Sequence, residues 1–153
     1  MSVTWAGVAV GDRALFDWGL AKYRIALEQI AKDGTLPLEI DRKSKARHYH
    51  LFALQPLVFI AETAARNDID LYAEDGGVLQ RLIARVVASL DDPSYFARLT
   101  GRKQAWIGKL NGGKLTWMEP YYARFADVRL RPWLDRFRPL KNRPTGGNAP
   151  LPY

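Results

Sequence analysis

The densest ionisable chemistry in this chain lies in residues 45–57, K-A-R-H-Y-H-L-F-A-L-Q-P-L. Both histidines, His48 and His50, flank Tyr49, and Arg42, Lys43, Lys45 and Arg47 lead into the stretch. Residues at i, i+3, i+4 and i+7 of a helix share a face, so Lys45, His48, Tyr49 and Phe52 fall on one side. His50, Leu54 and Leu57 fall on another, which reads as core. A cation, an imidazole and a phenol along two helical turns suit a reaction that neutralises a carboxylate and moves a proton. The same spacing also suits partly buried helix residues beside solvated cations, because imidazole and phenol groups are common at core margins.

Composition narrows the partners. A chain of 153 residues fits one domain and can bury a real core. Its net charge of +7 favours an acidic partner: nucleic acid, an anionic membrane or a polyanionic carbohydrate. The absence of cysteine excludes disulfides and thiolate metal sites. No apolar run is long enough to span a bilayer. The first ten residues lack a basic n-region, so no signal peptide is expected in this sequence. There is no Walker P-loop, no G-x-G-x-x-G and no H-E-x-x-H. His48 and His50 are two apart and point to different helix faces, which makes a poor metal pair. No cofactor is expected.

Helices must position these side chains. Residues 2–10 read as a short helix, and Gly11-Asp12 as a break followed by an N-cap. From residue 13 to 32, Phe16, Leu20, Tyr23, Leu27 and Ile30 form one apolar stripe, widened by Leu15, Trp18, Ile25 and Ala26. Gly34 reads as the cap that ends this helix. Residues 35–40 look too short and proline-bound for a helix. A helix over residues 44–66 carries the basic–aromatic stretch, with a kink or break expected at Pro56. Asn67-Asp68 closes it, and residues 70–75 form a loop. Residues 78–90 form a helix with Leu79, Leu82, Ile83, Val86, Val87 and Leu90 inward. Asp91-Asp92-Pro93 ends that helix and starts a short one over 94–99, closed by Gly101. A further turn is expected over 104–109. Residues 114–126 should be irregular because of Pro120, and 131–138 form a last helix. No segment alternates like a strand. The class is therefore all-α, built from antiparallel helix pairs. The basic, Pro/Gly-rich tail, residues 139–153, reads as loosely ordered beside a helical domain over 1–138.

Several blocks, taken in order, resemble one family, the bacterial alginate lyases that cleave polymannuronate. They are R-A-L-F-D-W at 13–18, L-P-L-E at 36–39, Y-H-L-F-A-L-Q-P-L at 49–57, D-L-Y-A-E-D-G-G-V-L-Q-R-L at 70–82, D-D-P-S-Y-F at 91–96, T-G at 100–101 and W-M-E-P-Y at 117–121. Single blocks are weak, but the ordered set covers about four-fifths of the chain. The resemblance implies part of an incomplete (α/α) toroid, its C-terminal half, with a groove for an acidic polymer. It implies a polysaccharide lyase working by β-elimination, without metal or other cofactor, in the periplasm. The family's asparagine–histidine element would lie just upstream of Thr4-Trp5-Ala6-Gly7, in a stretch this sequence does not contain.

In the family, an arginine and a tyrosine seven residues apart share a helix face, and both assist the chemistry. Aligned on A-L-Q-P-L, those positions are Lys45 and Phe52 here. Lysine keeps the charge but loses the guanidinium fork, and phenylalanine cannot exchange a proton. The proton work then falls to Tyr49 or His48, or the chemistry is impaired. Lys45, His48 and Tyr49 are the catalytic candidates. Trp5, Arg42, Arg47, Trp117 and Tyr121 are the substrate-binding candidates, against the plainer readings of core aromatics and solvated cations. Two other functions stay open: a non-catalytic helical binder of acidic polysaccharide and, on charge alone, a nucleic-acid-binding protein. An exposed half-toroid edge would favour a homodimer.

Overall fold

The computed structural model of the chain describes Gly7, residues 11–142 and Gly147–Asn148. The short helix expected over residues 2–10 lies outside the described residues except for Gly7, whose carbonyl accepts from Asp12 N at 2.8 Å. Asp12 opens helix α1, Arg13–Glu28, by accepting a hydrogen bond from Leu15 N at 3.0 Å. Phe16, Leu20, Tyr23 and Leu27 are buried along its inner face, with Ile30 just beyond its end. Trp18 and Ile25 do not widen this stripe: they are 51% and 47% exposed, on the flank that no described element covers.

Helix α1 ends four residues earlier than its periodicity suggested. Gly34, at φ +80°, lies in the turn beyond it, where Ala31 N donates to Thr35 O. A Cβ at Gly34 would sit 2.5 Å from the carbonyl oxygen of Arg81, so the turn packs backbone against the next helix layer. Gly34→Ala is expected to cost at least the roughly 1–2 kcal/mol of a left-handed non-glycine residue, plus the displacement of that backbone. Chemical denaturation should read a lowered midpoint; an unchanged midpoint would mean that the turn yields freely.

Residues 35–40 do contain a helix, contrary to expectation. One turn, α2, spans Pro37–Ile40 with its proline at the first position, where a missing N–H is harmless. A 3-10 turn, Lys43–Lys45, then feeds α3, Ala46–Ala65. Helix α3 runs without a break through Pro56. The carbonyl that Pro56 leaves without a donor belongs to Phe52, on the uncovered side of α3, where water can serve it. Leu51, Leu54, Val58, Ala61 and Ala64 fill the opposite side, and α1, α2 and the later helices pack around them.

Loop 66–77 is mostly exposed but sends two of its residues into the core. Asp70 accepts from Tyr72 N and Ala73 N, turning Leu71 and Tyr72 inward. The expected inward face of α4, Val78–Asp91, is buried throughout. Asp92 accepts from Ser94 N and Oγ before α5, Ser94–Thr100, and Gly101 at φ +63° closes it. The turn expected over 104–109 is not helical; the segment is held by Ala105 N donating to Ser44 O and by side-chain bonds from Gln104 and Lys114. Pro120 falls in the first turn of α6, Met118–Phe125, where no helical donor is required, so this helix is regular. Helix α7, Arg131–Phe137, carries a proline in its first turn.

After α7, β1 (Lys141–Asn142) pairs antiparallel with β2 (Gly147–Asn148), a two-residue contact within an otherwise all-α architecture. The rest of the tail lies outside the described residues. Among the described residues no helix is long and apolar enough to cross a membrane.

Candidate functional site

Helix α3 sets the geometry. Its uncovered strip carries Lys45 at the N-terminus, then Tyr49, then Phe52, which is 65% exposed. The helix start is electrostatically unusual. Its first turn holds no acid and its N-cap, Lys45, makes no side-chain cap bond, while Arg42, Lys43, Lys45 and Arg47 crowd the positive end of the macrodipole. Folding alone would favour carboxylates there, so this arrangement suits an anionic partner.

His48 and Tyr49 lie side by side, ring centroids 5.3 Å apart and nearly perpendicular. His48 is buried, and its Nδ1 has no hydrogen-bond partner among the described residues. Burial, then the nearby Lys114 and Lys45 cations, hold its pKa below the ordinary histidine value, so the ring is neutral near pH 7. Lys114 is fixed by its own bonds to the carbonyls of Ile107 at 2.6 Å and Lys109 at 2.7 Å, and burial lowers its pKa. Tyr49 is half-buried beneath the Arg42 guanidinium, 4.9 Å above its ring. Arg42 also lies 3.6 Å from Glu39, an ion pair too long for a hydrogen bond.

Three binding candidates are placed differently from expectation. Arg47 is no groove residue: it is buried, donates to Ser89 O at 2.9 Å, and stacks 4.1 Å over Trp106. Burial lowers even its pKa. Trp117 is fully buried and Tyr121 nearly so, and they pack with Tyr72 and Phe125 in one aromatic cluster. Neither offers a ring face to a sugar, because the helix stripe that carries them is the one α6 turns toward α3. Trp5 lies outside the described residues. Lys45, His48, Tyr49 and Arg42 are brought together.

His50 is a structural histidine. Its Nε2 accepts from Leu36 N at 2.8 Å, and Nδ1–H donates to Ala46 O at 2.8 Å, which selects one neutral tautomer. Burial is the main cause of a pKa lowered to about 4.

Sequence reasoning missed Gln104. Its side-chain oxygen accepts from Arg47 N at 3.1 Å, capping α3 from 57 residues away. Its amide nitrogen lies within hydrogen-bond distance of Lys43 O, Thr100 Oγ1 and Arg102 O. A lone glutamine in a polar loop carries no sequence signal for this role. Also missed was the clamp on Glu62, which accepts from Tyr72 Oη at 2.9 Å and from a forked Arg124, tying α6 to α3. Among the described residues no group of three or more His, Cys, Asp or Glu could hold a metal ion.

Comparison with known proteins places this helical layer, with the cationic, aromatic strip on its central helix, in the α/α-toroid fold class. The family model "Alginate lyase" matches residues 1–96. An alginate lyase of Pseudomonas syringae pv. syringae (strain B728a) is 43% identical over 125 residues, covering 82% of this chain and 33% of that protein. One from Azotobacter chroococcum mcd 1 is 38% identical over 149 residues, covering 97% of this chain and 40% of its own length. Alginate lyase A1-III from Sphingomonas species A1 superposes with a TM-score of 0.81 at 34% identity, over 96% of this chain and 42% of that one. A tetrasaccharide complex of a tyrosine-to-phenylalanine variant of A1-III gives a TM-score of 0.86 at 32% identity, over 99% and 44%. The chain belongs to the alginate lyase family. It spans between a third and about two-fifths of the length of these two curated relatives.

Proposed function

We propose that this chain forms part of a lyase that cleaves an acidic uronate polymer of the alginate type by β-elimination. The observation that carries the reading is the uncovered strip of α3, cationic at its start and aromatic along its length, in a chain 43% identical to an alginate lyase. Lys45 and the positive helix end would neutralise the substrate carboxylate, which acidifies the neighbouring C5–H. The neutral His48, or Tyr49 after giving up its own proton, would take that proton. The C5–H electrons then form the C4–C5 double bond, the C4–O4 bond breaks, and the departing O4 takes up a proton from the group that removed the one on C5. His48 suits the role of acceptor in charge state and Tyr49 suits it in access. The periplasm is the compartment this reading implies.

A second reading is favoured by one residue. Phe52 occupies the position where the resemblance places the family's tyrosine, and it has no proton to exchange. A tyrosine-to-phenylalanine variant of alginate lyase A1-III has been solved with a tetrasaccharide bound. Loss of a phenol is therefore compatible with holding sugar, and a non-catalytic acidic-polysaccharide binder fits this chain.

The test is binding of polymannuronate and of DNA at equal salt, together with the ultraviolet absorbance of unsaturated product. Preference for polymannuronate with product is expected for the lyase, and the same preference without product for the binder. Equal or stronger binding of DNA would sink both, since salt dependence is common to all polyanions.

A further inference from the structure

Gln104 joins two cationic stretches that lie far apart in the sequence. Its amide nitrogen reaches Lys43 O at 3.1 Å, and beside it Ala105 N donates to Ser44 O at 2.7 Å. The segment around Gln104 is thereby laid along the start of α3. Gln104 itself is buried, while its neighbours Arg102 and Lys103 are exposed, as are Lys43 and Lys45 on the stretch opposite.

None of these four cations has a carboxylate partner among the described residues, whereas Arg13, Arg24, Arg124, Arg129 and Arg138 each do. The acids nearest in sequence are Glu39, which faces Arg42, and the exposed Asp41. Gathering like charges costs energy, and a soluble surface ordinarily mixes its signs. Here a buried amide holds the like charges together, next to the helix start that already lacks acids.

We propose that Arg102 and Lys103, with Lys43, form a second contact for the acidic polymer, so that its track crosses the start of α3. The inference rests on the uronate reading above and adds to it the residues that engage a longer chain. A uronate polymer carries one carboxylate on every sugar. Successive rings therefore meet successive cations, and a longer chain engages more of the ridge than a short oligomer seated at Lys45, His48 and Tyr49.

The experiment measures binding of tetramannuronate and of a longer oligomannuronate by the parent chain, by Arg102→Ser/Lys103→Ser, and by a charge-matched control, Lys22→Ser/Lys32→Ser. All four positions are exposed, so the variants should fold, and circular dichroism checks this. The ridge variant is expected to bind the longer oligomer about tenfold more weakly. Its salt slope for that oligomer should fall by about 1.4 for the two lost cations, with tetramannuronate binding weakened less. The control should lose much less. Equal losses in the two variants, or no loss in the ridge variant, would overturn the ridge while leaving the uronate reading intact. A parent that binds neither oligomer would overturn the uronate reading and the ridge with it. If a DNA oligomer of matched charge binds the parent equally and loses affinity in the same variant, the ridge is a general polyanion site and the uronate track is wrong.

Discussion

Replacing Phe52 by tyrosine is expected to raise formation of unsaturated product from polymannuronate by about 10²–10⁴-fold, the usual contribution of a positioned proton-transfer group. Phe52 is 65% exposed on α3, so a hydroxyl at its ring tip meets water or substrate rather than core. It lies seven residues after Lys45 and three after Tyr49, on the same strip. A phenol there would stand beside the charge that neutralises the carboxylate. Helix α3 needs no rearrangement, since the substitution adds one exposed oxygen. Product absorbance in parent and variant reads the outcome. Product only from the variant means a degenerate lyase with a surviving groove. Equal product from both means that Tyr49 or His48 already moves the proton and that Phe52 is a bystander. No product from either, with polymer still bound, supports the binder. Loss of both product and binding would end the carbohydrate reading for this chain.

The second large effect is on stability and comes from His50. Its folded pKa of about 4 lies below the ordinary histidine value of 6.5. Between those values the unfolded chain binds a proton that the native ring refuses, so stability rises with pH across the window. The contribution is complete above about pH 6.5. It falls as pH drops and reaches a loss of about 3 kcal/mol once the pH is below the folded pKa. The physical cause is specific. Protonating Nε2 removes the acceptor of Leu36 N–H and places a charge in a site where His50 has no exposed surface. His50→Leu should cost roughly 1–3 kcal/mol near neutrality, because it leaves that buried N–H unpaired, and it should flatten the slope of stability against pH. Urea midpoints for both chains at about pH 7 and about pH 4.5 check this. Parallel slopes in parent and variant would show that His50 does not govern the acid limb.

The fold was largely legible because helical periodicity records burial directly. The inward faces of α1 and α4 stand in the sequence as apolar residues three and four apart, and all are buried. Proline was misread twice for one reason: its effect depends on position within a helix. Pro37 and Pro120 both fall in a first turn, where a missing donor is harmless. The candidate site was legible only along α3. Lys45, His48 and Tyr49 are neighbours on one helix, and local spacing suffices to bring them together.

What the sequence determined by itself is the all-α class, the main helices with their buried stripes, the His48–Tyr49 strip, and the family, since each depends on order and spacing within short blocks. Tertiary structure alone decided which polar and aromatic groups those stripes enclose. It turned Trp117 and Tyr121 into core, sank Arg47 against Trp106 and Ser89, made His50 the acceptor for Leu36, and capped α3 with a glutamine 57 residues beyond its partner. Spacing states which residues share a face. Only packing decides what covers that face, and a buried donor accepts whichever partner the folded chain brings within hydrogen-bond reach.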